Sequence, residues 1–342
     1  MNTNRIPGSA RPEVRIDPSD VGRRVSVRCL ETALDPATGR PRFRDVIGVL
    51  TSWDAHEVTV EPRAAARSRI GLDRLVAGKV VPLFPARSVP VPPVDPVELQ
   101  RIAARGWPAV EQQPLGEWTL RASAGFTRRA NSVQALGDPG LPLPAALDRV
   151  AQWYAQRGLP AWVEVTTPGS PTGLTAELDR LGAVYAPTLV RTAPLAPLVK
   201  AAASGTELVR LSRTAGPDWM SVYRRVSGDP AADAAARQVL HGGPSVWFAT
   251  VPDPHSAVPL AIGRCVIDGP WACFGAVEVQ PAARRQGLAT ALMAVLAARA
   301  AEEGARGGYL QVEADNDSAI TLYDGLGFTT SHTYHYACLP RA

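Results

Sequence analysis

Lysine is nearly missing from this chain. Lys79 and Lys200 are the only lysines among 36 basic residues, so arginine carries almost all of the positive charge. With abundant alanine and proline, that bias reads as the codon usage of a G+C-rich genome rather than as selection for anion binding. Cysteine is also scarce. Cys29, Cys265, Cys273 and Cys338 form no C-x-x-C pair and have no histidine at zinc-ligand spacing, which argues against a disulfide scaffold or a zinc site and leaves buried reduced thiols. His332 and His335, three apart on an expected strand, point to opposite faces, so no metal is expected. No apolar run reaches the roughly 18 residues of a membrane span, and "MNTNRIPGSARPEVRIDPSD" lacks the apolar core of a signal peptide. The expectation is a cytoplasmic protein with no membrane partner. Neither G-x-x-x-x-G-K-S/T nor G-x-G-x-x-G occurs, which removes the usual nucleotidase and dinucleotide cradles.

What remains is a 342-residue chain, 46% hydrophobic, long enough for two or three packed domains. Charge divides it: residues 21–90 hold 12 Lys/Arg against 7 Asp/Glu, while residues 91–342 hold 21 against 22. The basic part reads as short strands, "RRVSVRCL", "RDVIGVLTSW", "HEVTVEP" and "LVAGKVVPLF", with alternation at Val25, Val27 and Cys29 and a long hairpin loop in "ALDPATGRPRF". Residues 21–85 are expected to form a small all-β barrel. Pro90, Pro92, Pro93 and Pro96 punctuate "ARSVPVPPVDPVE", so residues 86–106 are expected to be a proline-rich linker.

Beyond it, two stretches run in a similar order. Residues 107–200 read as strands "EWTLRAS" and "RANSVQAL", a helix around Leu147, Val150, Ala151 and Tyr154, strand "AWVEVTT", a short helix and strand "VYAPTLVRTA". Residues 201–342 read as strand "TELVRLS", two helices, three strands ending in "WACFGAVEV", a long helix over Leu288, Leu292, Val295 and Leu296, then strand, helix and strand. The expected fold class is α/β (α+β): two related units behind a small barrel.

The most informative segment is "ARRQGLATALMAVL", residues 283–296. A helix start presents unpaired backbone N–H groups and the positive end of the helix dipole, so it suits phosphate. Gly287 allows close approach to the backbone, and Arg284 and Arg285 add permanent charge. The downstream "NDSAITLYDGLGF", residues 316–328, completes a pair of patterns. Arg284, Gly287 and Ala289 meet R/Q-x-x-G-x-G/A, while Asn316, Ala319, Leu322, Tyr323, Gly327 and Phe328 meet N-x-x-A-x-x-L-Y-x-x-x-G-F. On these residues the chain resembles the GNAT superfamily of acyl-CoA-dependent N-acetyltransferases, over about 206–340 and more weakly over 107–195. The resemblance implies a mixed central sheet flanked by helices in each of two GNAT-like units.

It further implies acetyl-CoA as co-substrate, with the pyrophosphate on Arg284, Arg285, Gln286, Gly287, Leu288 and Ala289. Backbone groups of Val277 and Val279 would meet the pantetheine arm and thioester carbonyl. Asn316 and Ala319 would complete the groove, and Tyr323 would protonate the departing thiolate. An acetyl group would pass directly to a primary amine of a small molecule or protein. The attacking amine must be neutral although a free alkylammonium has a pKa of about 10.4. Glu278 and Glu313 are the candidate bases, and each is equally readable as a solvated strand-end carboxylate.

Aligning "LDRLGA" with "YDGLGF" sets Pro171 opposite Asn316 and Leu178 opposite Tyr323, and "GDPGLPLP" replaces the arginine–glycine stretch. The first unit thus resembles the degenerate half of tandem GNAT proteins, which shapes the acceptor cleft. Its "FTRRANSV", with Arg128, Arg129 and Asn131, is polar enough to face a ligand, but a hairpin turn with solvated arginines is the favoured reading. The barrel resembles the Src homology 3-like domain preceding GNAT units in some actinobacterial proteins. Its charge surplus reads as a solvated basic face, with nucleic-acid contact through residues 21–85 the less favoured reading. The competing functional reading is a catalytically silent coenzyme A binder whose barrel recruits nucleic acid or a protein.

Overall fold

The computed structural model describes residues 14–34, 39, 41–62, 66–81, 94–200, 205–225 and 228–340. The chain divides into two compact units with the main boundary between Ser88 and Val89. In the first, β1 (Arg24–Leu34), β2 (Pro41–Trp53), β3 (Glu57–Glu61), β4 (Ser68–Gly71) and β5 (Leu75–Val80) form an antiparallel sheet in the order β4-β3-β2-β1-β5. The alternation in β1 does what it suggests, because Val25, Val27 and Cys29 are buried with Val46, Leu50, Val58, Val60 and Ile70 in one core. Residues 35–38 and 40 of the expected loop "ALDPATGRPRF" lie outside the described residues, as do residues 86–93 of the expected linker.

The rest of that linker is instead helical. In α1 (Pro96–Gly106), Asp95 caps the start by accepting from the Val97 amide at 3.2 Å, Pro96 needs no donor at the first turn, and Leu99, Ile102 and Ala103 share one buried face. Four prolines in a row of weak pattern masked a helix start that two of the residues, Asp95 and Pro96, in fact specify.

The second unit contains one eleven-stranded mixed sheet. Its first half runs β6 (Glu111–Leu115), β7 (Trp118–Ala122), β8 (Val133–Gln134), α2 (Leu143–Ala155), β9 (Trp162–Thr167), α3 (Leu174–Arg180), β10 (Val184–Pro194) and α4 (Leu195–Lys200). Its second half runs β11 (Arg210–Ser212), α5 (Pro217–Val222), α6 (Pro230–His241), β12 (Ser245–Asp253), β13 (Ser256–Asp268), β14 (Trp271–Val279), α7 (Leu288–Glu302), β15 (Gly307–Glu313), α8 (Asp317–Gly325) and β16 (Thr329–Cys338).

The strand order, β11-β12-β13-β14-β15-β10-β16-β9-β8-β7-β6, shows that the halves exchange their last strands. β10 pairs antiparallel with β15, from Thr188↔Glu313 to Pro194↔Gly307, and β16 lies between β10 and β9. Neither half therefore has a complete sheet of its own. Buried polar contacts tie β7, β8, β9 and α1 together, and β16 joins them through His332. Arg121 on β7 donates to Glu164 on β9 at 2.8 Å, and Glu164 also accepts from Gln100 of α1 at 2.8 Å and Gln134 of β8 at 3.2 Å. His332 of β16 meets Gln100 at 3.4 Å. Burial would raise the Glu164 carboxyl, but the Arg121 charge and these hydrogen bonds outweigh it and hold it below the usual carboxylate range.

Candidate active site

Strands β14 and β15 run parallel, but they pair over only Trp271–Cys273 against Gly307–Tyr309. Beyond Cys273 they part. The cause lies on the other edge of β14, where Ile262↔Glu278 and Arg264↔Gly275 leave an extra residue on β14, with Ala276 at φ 50°. Such a bulge bends the strand and frees backbone groups from the ladder. The opening is a cleft of about 300 Å³ lined by Gly275–Glu278 on one side and Gln311–Glu313, Asn316, Ala319 and Tyr323 on the other.

At the end of β14 the chain makes a short 3-10 turn over Pro281–Ala283 and then enters α7. Arg285 (φ 63°) and Gly287 (φ 79°) both occupy the left-handed region, which glycine adopts at no steric cost. A Cβ built on Gly287 would have nothing within 4 Å, so the space above this backbone is open to a ligand. The Arg284 Nε donates to the Val279 carbonyl at 3.4 Å and Gln286 to the Ala282 carbonyl at 3.3 Å, both side chains folding back along the loop. The α2 start in the first half is different. Pro142 and Pro144 flank Leu143, and no side chain caps the helix, so it offers fewer amide donors.

Helix α8 carries the second motif. Asn316 is its N-cap, accepting from the Ala319 amide at 3.2 Å, which gives that asparagine a structural duty at the cleft edge. The Tyr323 ring packs edge-on to Phe328 at 5.8 Å between centroids, and burial, with the nearby Cys273 thiol, pushes its hydroxyl up to about 12. The helix is held from the other half of the sheet: buried Arg191 of β10 donates to the Phe328 carbonyl at 2.6 Å, the Ile320 carbonyl at 3.2 Å and the Asp324 carboxylate.

The two glutamates are not equivalent. Glu278 is largely buried and accepts from the Arg224 amide at 3.3 Å. Burial raises its carboxyl above the usual value against the opposing pull of Arg224 and Arg225. Glu313, 45% exposed at its side chain, is paired with Arg128 at 3.1 Å.

That contact overturns the expectation for "FTRRANSV". The turn is organised by Asn131, which is buried, accepts from the Ser123 and Gly125 amides and donates to the Phe126 and Thr127 carbonyls. It drives Thr127 to φ 56° and sets both arginines at the cleft, half-buried rather than fully solvated. Arg128 lies over Trp162 at 5.4 Å and Tyr336 at 5.7 Å, and Arg129 over Trp107 at 5.4 Å. Other cleft residues escaped sequence reasoning because they come from separate elements with no shared pattern: Trp107, Tyr223, Arg225, Arg264 and Tyr336. Arg264 is fully buried and donates to the Leu240, Gly106 and Gly242 carbonyls at 2.7, 3.0 and 2.8 Å, capping α6 and α1. Among the described residues, no group of three or more His, Cys, Asp or Glu could hold a metal ion, and no helix is long and apolar enough to cross a membrane.

Comparison with known proteins bears on the family and the fold. The family described as "Probable histone acetyltransferase Rv0428c C-terminal" matches residues 97–337, and one described as a domain of unknown function, DUF6725, matches residues 5–86. The "Uncharacterized N-acetyltransferase YobR" of Bacillus subtilis is 27% identical over 246 residues, covering 70% of this chain and 96% of that protein. The "Probable histone acetyltransferase Rv0428c" of Mycobacterium tuberculosis is 29% identical over 150 residues, 42% of this chain and 44% of that protein. Among solved structures, a GCN5-related N-acetyltransferase from Kribbella flavida covers 72% of this chain and 95% of its own, with a TM-score of 0.52 at 19% identity. With most of its length matched by one family, the chain belongs to the Rv0428c C-terminal acetyltransferase family and is an acyltransferase of the GNAT N-acetyltransferase type.

Proposed function

We propose that the chain transfers an acetyl group from acetyl-CoA directly to a primary amine held in the cleft between β14 and β15. The observation that carries this reading is the continuity of three features: the parting of β14 from β15 after Cys273, the left-handed turn at Arg285 and Gly287 before α7, and Tyr323 on the facing helix. The amides of residues 285–289 suit a pyrophosphate, with Arg284 and Arg285 adding charge. The bulged segment of β14 around Val277 and Val279 offers backbone donors to the pantetheine arm and the thioester carbonyl. Acetyl-CoA supplies an activated acyl group; the chain supplies orientation and proton transfer.

In this reading Glu278, not Glu313, removes the proton from the ammonium. Burial raises its carboxyl, and its ion pair with the exposed Arg224, at 3.6 Å, is looser than the 3.1 Å pair of Glu313 with Arg128. The amine nitrogen then forms the new C–N bond, the C–S bond breaks, Tyr323 donates its hydroxyl proton to the thiolate, and the second proton leaving the acylated nitrogen restores the Tyr323 hydroxyl. The first half contributes no second cofactor site, since its α2 start lacks the arginine–glycine turn. Its contribution is the arginine loop of the acceptor cleft and the strand that seats α8.

Calorimetric titration of acetyl-CoA into the wild type and Arg284→Glu tests the cofactor placement. Reversing a phosphate-contacting charge should weaken binding more than tenfold, which at about 1.4 kcal/mol per decade is within the reach of one charge-assisted contact. Unchanged affinity would place the pyrophosphate elsewhere.

A further inference from the structure

The acetyl-transfer reading leaves two cleft arginines without a role, Arg129 and the exposed Arg225, and of these Arg129 carries a buried donor without a partner. Three neighbours of like charge are already engaged: Arg128 with Glu313, Arg224 with Glu278, and Arg264 with helix carbonyls. Arg129 is not among the ion pairs of the described residues. One edge of its guanidinium faces the Tyr334 hydroxyl, and its face covers Trp107. Its Nε is buried and has no hydrogen-bond partner among the described residues. A buried guanidinium donor without an acceptor is costly and marks a place where an acceptor belongs. It also stands in one small cleft with Glu278 and Tyr323, and the buried Tyr223 hydroxyl lies in the fields of Arg225, Glu278, Arg129 and Arg264 together.

We infer that the acceptor is a small amine that also bears an acid group: the acid binds at Arg129 while the amine meets Glu278. The inference rests on the acetyl-transfer reading for the role of Glu278. The arrangement is complementary in charge at both ends, a cation for the acid and a carboxylate for the ammonium, which fits a zwitterion such as a free amino acid. Size points the same way. A cleft of about 300 Å³ that must also admit the acyl end of the co-substrate leaves room for a compact molecule. Arg129 comes from the first half of the sheet, on the turn that Asn131 fixes, so the half without a cofactor turn would determine acceptor specificity.

The test compares matched probes: the α-amino acids, their carboxamides, the amines left by removing the carboxylate, 2-aminoethyl phosphate, and a lysine-containing peptide. Each is offered with acetyl-CoA to the wild type, Arg129→Gln and Arg129→Lys, following coenzyme A release, and is titrated calorimetrically into protein saturated with coenzyme A. The expected result is an acid-over-amide preference of about tenfold to a hundredfold in both turnover and binding, the range for a hydrogen bond to a charged group. Arg129→Gln should bring that ratio to near one, and Arg129→Lys should restore part of it. Because the ratio is taken within one variant, a general loss of folding does not mimic it. A preferred carboxylate identifies amino acids, and a preferred phosphate identifies aminoalkyl phosphates; either supports the inference. Equal use of acid and amide, a preference that survives Arg129→Gln, preference for the peptide, or no binding of any probe overturns it. Acid-selective binding without any acetyl transfer would instead overturn the catalytic reading and leave Arg129 as an acid-binding residue.

Discussion

Replacing Tyr323 by phenylalanine separates chemistry from architecture at this site. The ring is held by Phe328 at 5.8 Å and by the surrounding core, and phenylalanine keeps both contacts. No hydrogen bond to the Tyr323 hydroxyl occurs among the described residues, so its removal strands no partner. Thermal stability should therefore stay within about 0.5 kcal/mol of the wild type, the usual span for a change without such a loss. Acetyl-CoA affinity should also hold. The rate should not: losing a general acid costs about 10² to 10⁴ in kcat, or roughly 3–5 kcal/mol of barrier. Because burial keeps the hydroxyl near 12, the donor stays protonated through the alkaline assay range, and the wild-type rate should show no loss there from Tyr323. Steady-state coenzyme A release, with calorimetry and thermal melts on the same preparations, measures all three quantities. A kcat within a few-fold of wild type would refute the assignment and leave Tyr323 as a packing residue.

Glu278→Gln should lower kcat/KM by about a hundredfold or more and remove the acid limb of its pH profile; since burial raises the Glu278 carboxyl, that wild-type limb should rise with pH through a value above the usual carboxylate range. Arg191→Met removes the donors that hold the end of α8, so melting temperature should fall, and kcat should fall more than acetyl-CoA affinity because α8 carries Tyr323. Glu164→Gln strands buried Arg121 and should cost about 3–5 kcal/mol in denaturant unfolding. The native Glu164 carboxyl is held low, so wild-type stability from this pair is present above the ordinary carboxylate pKa and lost as pH falls through the lowered native value; the variant should lack that acid-side loss.

The motif residues were the legible part of this molecule. The turn into α7 at positions 284–289 and the Asn316 cap of α8 could be read from local sequence, because a helix start and an N-cap are built from neighbours in the chain. Strand β1 was legible for the same reason, its alternation being a local signature. Helix α1 was not, because the prolines preceding it hid the Asp95–Pro96 start, and β6 was not, because "EQQPL" is almost wholly exposed and becomes a strand only by pairing with β7. The exchange of β10 and β16 could not be read at all: strand order depends on which edges meet, and both strands look like ordinary last strands of their own halves. That exchange is also why Arg128 and Arg129 were misread. Their turn looks solvated until β16 brings Tyr334 and Tyr336 beneath it.

The account stands most directly on where coenzyme A binds, and a crystal structure of the coenzyme A complex measures that. It should place the pyrophosphate on the amides of residues 285–289 at the α7 start, with the pantetheine arm entering between β14 and β15 and the sulfur facing Tyr323. Pyrophosphate density at the α2 start, or anywhere outside the parting of β14 and β15, would contradict it.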